Sequence, residues 1–115
     1  MNLLKKKVSK DIFFKEYSKI LNGVLELSPR ELEVFSFLLK EDSVGGSTNI
    51  NSPKVRKEII ETYKISEANL SRYLRVIKDK GLIIKGQTGK WIINDLVRPI
   101  VDNNKFELKF ILEVE

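Results

Sequence analysis

Cysteine and histidine are both absent from this chain of 115 residues. Their absence excludes disulfide bonds, Cys/His zinc sites, thiol nucleophiles and imidazole general bases. Carboxylates, lysines and hydroxyls remain as possible catalytic groups. The carboxylates lie on predicted helix faces where their spacing from lysines and arginines already explains them. No two carboxylates converge in a way that suggests acid–base chemistry. We therefore expect a protein that is not an enzyme, that uses no metal or cofactor, and that has no evident small-molecule substrate.

Long hydrophobic runs are also missing. No apolar stretch approaches the ~20 residues that span a bilayer, and the basic residues 1–7 are not followed by the apolar segment of a secretion signal. We expect no membrane association and a cytoplasmic location, or the host cytoplasm if a phage or plasmid carries the gene. Hydrophobic residues make up 42% and charged residues 32%, which is typical of a globular chain, and the length fits a single domain over residues 1–115.

Positive charge is present and unevenly distributed. Residues 53–90 carry ten basic and four acidic side chains, a net charge of +6, whereas residues 1–52 carry +1 and residues 91–115 carry −2. A localised positive field is typical of a surface that binds a polyanion. On charge alone, a solvated lysine-rich surface explains the pattern equally well.

Helix signals appear in the first half of the chain. Residues 11–27 have a mostly helical apolar spacing that Asn22-Gly23 interrupts, although residues 13–17 also fit an extended segment. Ser28 with Glu31 forms a capping box around Pro29, which predicts a helix with an apolar stripe of Leu32, Phe35, Leu38 and Leu39. Residues 41–51 are rich in serine, glycine and asparagine and predict a loop, whose end at residues 48–51 fits a very short strand.

The second half predicts two helices and a hairpin. Ser52-Pro53 begins a helix of about three turns, residues 64–65 make a bend, and Ser66 begins another helix that runs to Lys80, with Gly81 just past its end. Two β-favouring runs at residues 82–85 and 90–93 flank a glycine-bounded tetrapeptide and predict a β-hairpin. Alternation of apolar and polar residues over 106–114 predicts one more strand.

This order of elements is typical of a winged helix-turn-helix. The predicted fold is mainly α with a small β-hairpin (α+β), with the winged helix-turn-helix core at residues 28–94. Residues 1–27 form an N-terminal apolar segment, and residues 95–115 form a C-terminal extension with its strand.

The helix predicted at residues 66–80 has two different faces. Leu70, Tyr73, Leu74 and Ile77 span about 100° of arc and predict its buried side. The opposite side can enter a major groove of DNA, because small side chains lie near its start and two arginines lie one turn apart. The predicted base-reading residues are Ala68, Asn69, Ser71, Arg72 and Arg75. The alternative is that the arginines only solvate an outer helix face.

The predicted phosphate contacts lie mainly at the tip of the hairpin, which at residues 82–93 forms the predicted wing. A wing lies beside the DNA backbone or in a minor groove, where lysines neutralise phosphates, although the tip also fits an ordinary solvated turn. The predicted phosphate-binding residues are Ser52, Lys54, Lys78, Lys85, Gln87, Thr88 and Lys90. We expect Trp91 to pack on the core rather than to stack on a base.

The sequences ISEANLSRYL at residues 65–74 and KGLI at residues 80–83 resemble a run common in the winged helix-turn-helix superfamily. Within it, the chain looks most similar to plasmid replication initiators of the RepL type and to MarR-like regulators, and the RepL likeness extends upstream through residues 13–17 and 27–39. Lys64 stands where many members have glycine. The resemblance implies binding of duplex DNA, often as a dimer, through the third helix of the core and the wing.

The sequence is compatible with three functions. They are sequence-specific transcriptional regulation, origin recognition in plasmid or phage replication, and a winged helix that acts as a protein–protein interaction module. The basic face favours DNA over a protein partner. Because one short helix reads only a few base pairs, we expect a homodimer that uses residues 12–25 and 106–114. Pairing of those two segments within one chain is the monomeric alternative.

Overall fold

A computed structural model describes residues 7–45, 49–99, 101–102, 105–106 and 113–115. In this part of the chain four helices are followed by two short antiparallel strand pairs, an α+β arrangement that is mainly helical. The helices are α1 (Phe13–Leu25), α2 (Pro29–Gly45), α3 (Pro53–Tyr63) and α4 (Glu67–Asp79), and the strands are β1 (Ile83–Lys85), β2 (Trp91–Ile93), β3 (Val101–Asp102) and β4 (Lys105–Phe106). Short 3-10 turns lie at Lys10–Ile12 and Asp95–Val97. None of these helices is long and apolar enough to cross a membrane.

The three predicted helix starts are confirmed. Before α2, the Ser28 amide donates to Glu31 Oε1 at 2.8 Å and the Glu31 amide donates to Ser28 Oγ at 3.3 Å, which closes the capping box in both directions. Ser52 Oγ accepts from the Val55 amide in the first turn of α3, and Ser66 Oγ accepts from the Asn69 amide of α4 at 3.1 Å. Local side-chain chemistry therefore sets where each helix begins.

Helix α1 shows that the predicted interruption at Asn22-Gly23 was wrong. The helix passes through both residues and ends at Leu25, and residues 13–17 are helical rather than extended. The Asn22 side chain accepts from the Leu27 amide at 2.7 Å and donates to the Leu27 carbonyl at 3.1 Å. Asn22 thus closes the turn after the helix, where Glu26 takes a left-handed conformation with φ of 56°.

Helix α2 extends further than the sequence predicted. The loop was expected from Glu41, but the helix continues to Gly45. Asp42 lies in this extra turn, is only 7% exposed, and accepts two hydrogen bonds from Arg98. This long-range pairing explains why a polar segment stays helical. Within the described residues 49–51 no strand forms, but the Ile50 amide donates to the Trp91 carbonyl at 3.1 Å.

The hydrophobic core lies between the four helices and the base of the hairpin. Helix α2 is its centre, because Phe35, Leu38 and Leu39 are at most 1% exposed, whereas Leu32 is only partly buried. The remaining buried apolar side chains come from all four helices, the segments between them and the hairpin. These are Tyr17, Leu21, Leu27, Val34, Ile50, Val55, Ile59, Leu70, Leu74, Ile77, Leu82, Ile83 and Ile93.

The turn between α3 and α4 is tight. Lys64 takes the left-handed conformation, with φ of 53°, although it carries a side chain. Helix α4 ends at Asp79, one residue before the predicted end, and Lys80 is its cap. Gly81 then has φ of 77°, the positive value expected for a residue just past a helix end.

The predicted hairpin is confirmed, with each strand one residue shorter than expected. Its register pairs Ile83 with Ile93 and Lys85 with Trp91. The strand predicted over residues 106–114 is described only in part: Phe106 belongs to β4, residues 107–112 lie outside the described residues, and residues 113–115 are not in a strand.

Candidate nucleic-acid interface

Helix α4 presents the two faces that the sequence predicted. Leu70 and Ile77 are fully buried and Leu74 is 8% exposed, while Tyr73 is partly buried against the core. On the opposite side the predicted base-reading residues Ala68, Ser71, Arg72 and Arg75 are exposed, and Asn69 is half-buried. The predicted reading face is therefore accessible.

A shallow groove of about 200 Å³ runs between α4, the start of α3 and the hairpin. It brings together three of the predicted residues, Ser71, Arg75 and Lys78. The full lining is Asn51, Arg56, Ser71, Leu74, Arg75, Lys78, Ile83 and Trp91. Arg75 and Lys78 give this concave surface a positive field, which suits an anion, whereas the charge of Arg56 is balanced by Glu67.

Arg56, which the sequence analysis missed, joins three elements beside this groove. Its Nε donates to Glu67 Oε1 at 2.7 Å, and its Nη2 also donates to that oxygen. Nη1 donates to Asn51 Oδ1 at 2.9 Å, and Nη2 donates to Ser71 Oγ at 2.7 Å. Because the Ser71 oxygen accepts from Arg56, the Ser71 hydroxyl proton is left to donate to another acceptor.

Trp91 connects the hairpin to both the core and the groove. It is half-buried and packs against the core, as expected, and the Lys78 ammonium lies 4.8 Å from the centre of its ring. Asn49, a second residue that the sequence analysis missed, accepts from the Trp91 amide at 3.0 Å and from the Asn51 amide at 3.1 Å. The segment before α3 is thus attached to β2.

Two predicted phosphate contacts lie at the start of α3. Ser52 Oγ accepts from the Val55 amide at 3.3 Å, so this oxygen already caps the helix. The Ser52 hydroxyl can still donate a hydrogen bond to a ligand. Lys54 is exposed. Ser52 follows Asn51, which lines the groove, whereas Lys54 does not line it.

The other predicted phosphate contacts lie at the hairpin tip. The turn is closed by the Gly86 amide, which donates to the Lys90 carbonyl at 2.7 Å, and Gly89 has φ of 82°. Only Ile83 and Trp91 of the hairpin line the groove, so the tip is not part of it. The exposed tip residues are Lys85, Gln87, Thr88 and Lys90.

The structure also shows which positive charges are already engaged. Arg56 pairs with Glu67, and the Lys80 ammonium donates to the Leu25 carbonyl at 2.6 Å and to the Glu26 carbonyl at 3.2 Å. Six cations among the predicted contacts are exposed and make no ion pair in the described part of the chain. They are Lys54, Arg72, Arg75, Lys78, Lys85 and Lys90.

Comparison with known proteins gives no relative. No protein-family model, no curated protein and no solved structure that was compared with this chain matches it.

Proposed function

We propose that this chain is a winged helix-turn-helix protein that binds double-stranded DNA in the cytoplasm, without catalytic activity. In this proposal α4 enters the major groove and the hairpin tip lies beside the phosphate backbone. The observation that carries it is the exposed face of α4, where Arg72 and Arg75 stand one turn apart while the opposite face is buried. An arginine in this position can donate two hydrogen bonds to a guanine edge.

The arrangement of α3 and α4 supports the same proposal. Ile59 of α3 and Leu70 of α4 are both buried, so the two helices pack through apolar faces and leave their polar faces outside. The short turn with its left-handed Lys64 fixes their relative orientation. A helix held in this way can project from the body far enough to reach base edges.

A protein–protein module is the alternative from another class. Arginine is common in protein interfaces, but lysine is depleted there, and exposed Lys78, Lys85 and Lys90 accompany the two arginines on this side of the protein. This charge favours a phosphate-rich partner.

We also propose that the DNA-binding form is a homodimer. Helix α1 directs Tyr17 and Leu21 into the core, yet Ile20 and Val24 of the same helix are 49% and 62% exposed, and Ile12 in the preceding 3-10 turn is 44% exposed. Ile20 and Val24 are four residues apart, so their side chains are neighbours on the surface of α1. A second copy of the chain that packed on this side would cover them.

The salt dependence of duplex binding tests the function. Each neutralised phosphate contributes about −0.9 to the slope of log K against log salt, so the six unpaired cations predict a slope of about −5. The measurement is fluorescence anisotropy with a labelled duplex over a range of salt concentrations. A slope near zero, or no duplex binding at low salt, contradicts the proposal.

Four alanine variants separate base reading from phosphate contact. Arg72→Ala and Arg75→Ala should each weaken specific binding by about 1–3 kcal/mol, because they remove base contacts. Lys85→Ala and Lys90→Ala should weaken all sequences about equally, and all four variants should fold normally because the side chains are exposed. Similar behaviour of both pairs would show that the reading face is misplaced. Genomic footprinting then distinguishes a regulator, bound at promoters, from an initiator, bound at an origin.

A further inference from the structure

We propose that Glu67 is a base-reading residue that accepts a hydrogen bond from the amino group of a cytosine, and that Arg56 is its positioning residue. This inference rests on the proposed DNA-binding function and adds to it a base preference. Glu67 is the first residue of α4, and its side chain is 63% exposed. Residues at the N-terminal end of a recognition helix are the ones that reach base edges.

The two oxygens of the Glu67 carboxylate have different roles. Both Arg56 donors, Nε and Nη2, engage Oε1, with Nε at 2.7 Å. In the described part of the chain, Oε2 makes no hydrogen bond. One oxygen is therefore held by the protein, and the other remains an acceptor on a side chain that is largely exposed.

Arg56 can hold this carboxylate because it is itself fixed from several sides. Its side chain is only 19% exposed, and it donates to Asn51 Oδ1 at 2.9 Å and to Ser71 Oγ at 2.7 Å. Exposed glutamates normally sample several rotamers, and ordering one on binding costs free energy. The fork of Arg56 donors removes much of that cost before DNA is bound.

The chemistry of a carboxylate selects the base. An ionised carboxylate is only an acceptor, and phosphates repel it, so its favourable partners in the major groove are the amino groups of cytosine and adenine. On adenine the N7 acceptor lies beside the amino group and would face the negative charge. Cytosine presents its N4 amino donor without an adjacent acceptor on its own edge. Glu67 therefore favours cytosine.

The test is selection of binding sites from a randomised duplex library, followed by affinity measurements on the selected sites. Wild-type protein should enrich a motif with a cytosine that it prefers by about fivefold or more over other bases at one position of each half-site. Glu67→Gln should lose that preference or exchange it for adenine, because an amide offers both a donor and an acceptor. The rest of the motif should remain.

Two further variants distinguish an effect on base discrimination from an effect on the stability of the fold. Arg56→Lys keeps the charge but cannot form the fork, and should weaken discrimination at the position that Glu67 reads; any further change should be confined to the position that Ser71 reads, because Arg56 also donates to Ser71. Glu61→Gln, the same chemical change on the exposed side of α3, should leave the motif unchanged. Thermal melting of each variant confirms that it is folded.

The outcomes distinguish this inference from the function on which it rests. If the wild type enriches a motif that Glu67→Gln retains in full, the inference is wrong and the DNA-binding proposal stands. A uniform gain in affinity of Glu67→Gln for all sequences also overturns the inference, because it would mean that Glu67 only repels phosphate. If the wild-type protein enriches no motif, sequence-specific binding itself is wrong.

Discussion

Replacing Arg98 by alanine should destabilise the protein substantially, although Arg98 is not among the proposed DNA contacts. Arg98 Nε and Nη2 donate to the two oxygens of Asp42 at 2.9 Å and 3.1 Å. Nη1 pairs with Asp95, and Nη2 also donates to the Ile93 carbonyl at 3.3 Å. Arg98 therefore attaches the segment after the hairpin to the last turn of α2.

The magnitude follows from the burial of the two partners. Breaking a fully buried ion pair by removing one partner costs about 3–5 kcal/mol, because the other charge stays buried without compensation. Asp42 is 7% exposed, but the Arg98 side chain is 38% exposed, so solvent screens part of the interaction. We expect a loss of about 2 kcal/mol for Arg98→Ala, which for a chain of this size lowers the melting temperature by about 8 °C.

Urea unfolding at neutral pH measures this loss, and the chain offers a matched control. Arg30 pairs with Glu33 on the same helix, with side chains 52% and 46% exposed, and Arg30→Ala should cost less than about 0.5 kcal/mol. Adding Asp42→Asn to Arg98→Ala should recover part of the loss, since it removes the uncompensated charge. Equal stability of the Arg98→Ala and Arg30→Ala variants would refute the reasoning.

Two further predictions concern α1. Burial raises the pKa of Tyr17, whose hydroxyl donates to the Val97 carbonyl at 2.5 Å, so the folded chain holds this proton more tightly than the unfolded chain. This contribution is present below about pH 10, the ordinary tyrosine value, and is lost as the pH rises through the folded pKa. Tyr17→Phe should therefore be less stable by about 1 kcal/mol at neutral pH in urea unfolding, and a difference that did not shrink at alkaline pH would contradict this. Replacing both Ile20 and Val24 by aspartate should turn the proposed dimer into a folded monomer, as measured by light scattering. Deletion of residues 105–115 tests the C-terminal segment in the same way. A wild-type protein that is monomeric at micromolar concentration, with and without DNA, would exclude the dimer.

Helix starts were predictable from sequence because their signals are local. Ser28, Ser52 and Ser66 each cap the helix that follows within three residues, and no distant contact is needed. The errors in the bounds of α1 and α2 have the opposite origin. Asn22 was read as a helix breaker, but its side chain closes the turn at Leu27, a role that depends on where the chain goes next.

The second error and the missed site residues depend on long-range contacts. The last turn of α2 is held by an arginine 56 residues away, which no local pattern reveals. The exposed and buried faces of α4 followed from periodicity alone, so the predicted base-reading residues have the expected exposure. Arg56 lies 11 residues before Glu67, and its role follows from the packing of α3 against α4 rather than from spacing.

Lys80 links the end of α4 to the end of α1. Its ammonium reaches the Leu25 and Glu26 carbonyls across 55 and 54 residues of chain. In a homodimer joined through α1, no flexible linker would separate the dimer contact from α4. The folded chain would therefore set the distance between the two α4 helices. One inserted base pair rotates a half-site by about 35° and moves it by about 3.4 Å along the duplex. Such a dimer would therefore discriminate between DNA sites by the spacing of their half-sites as well as by their bases.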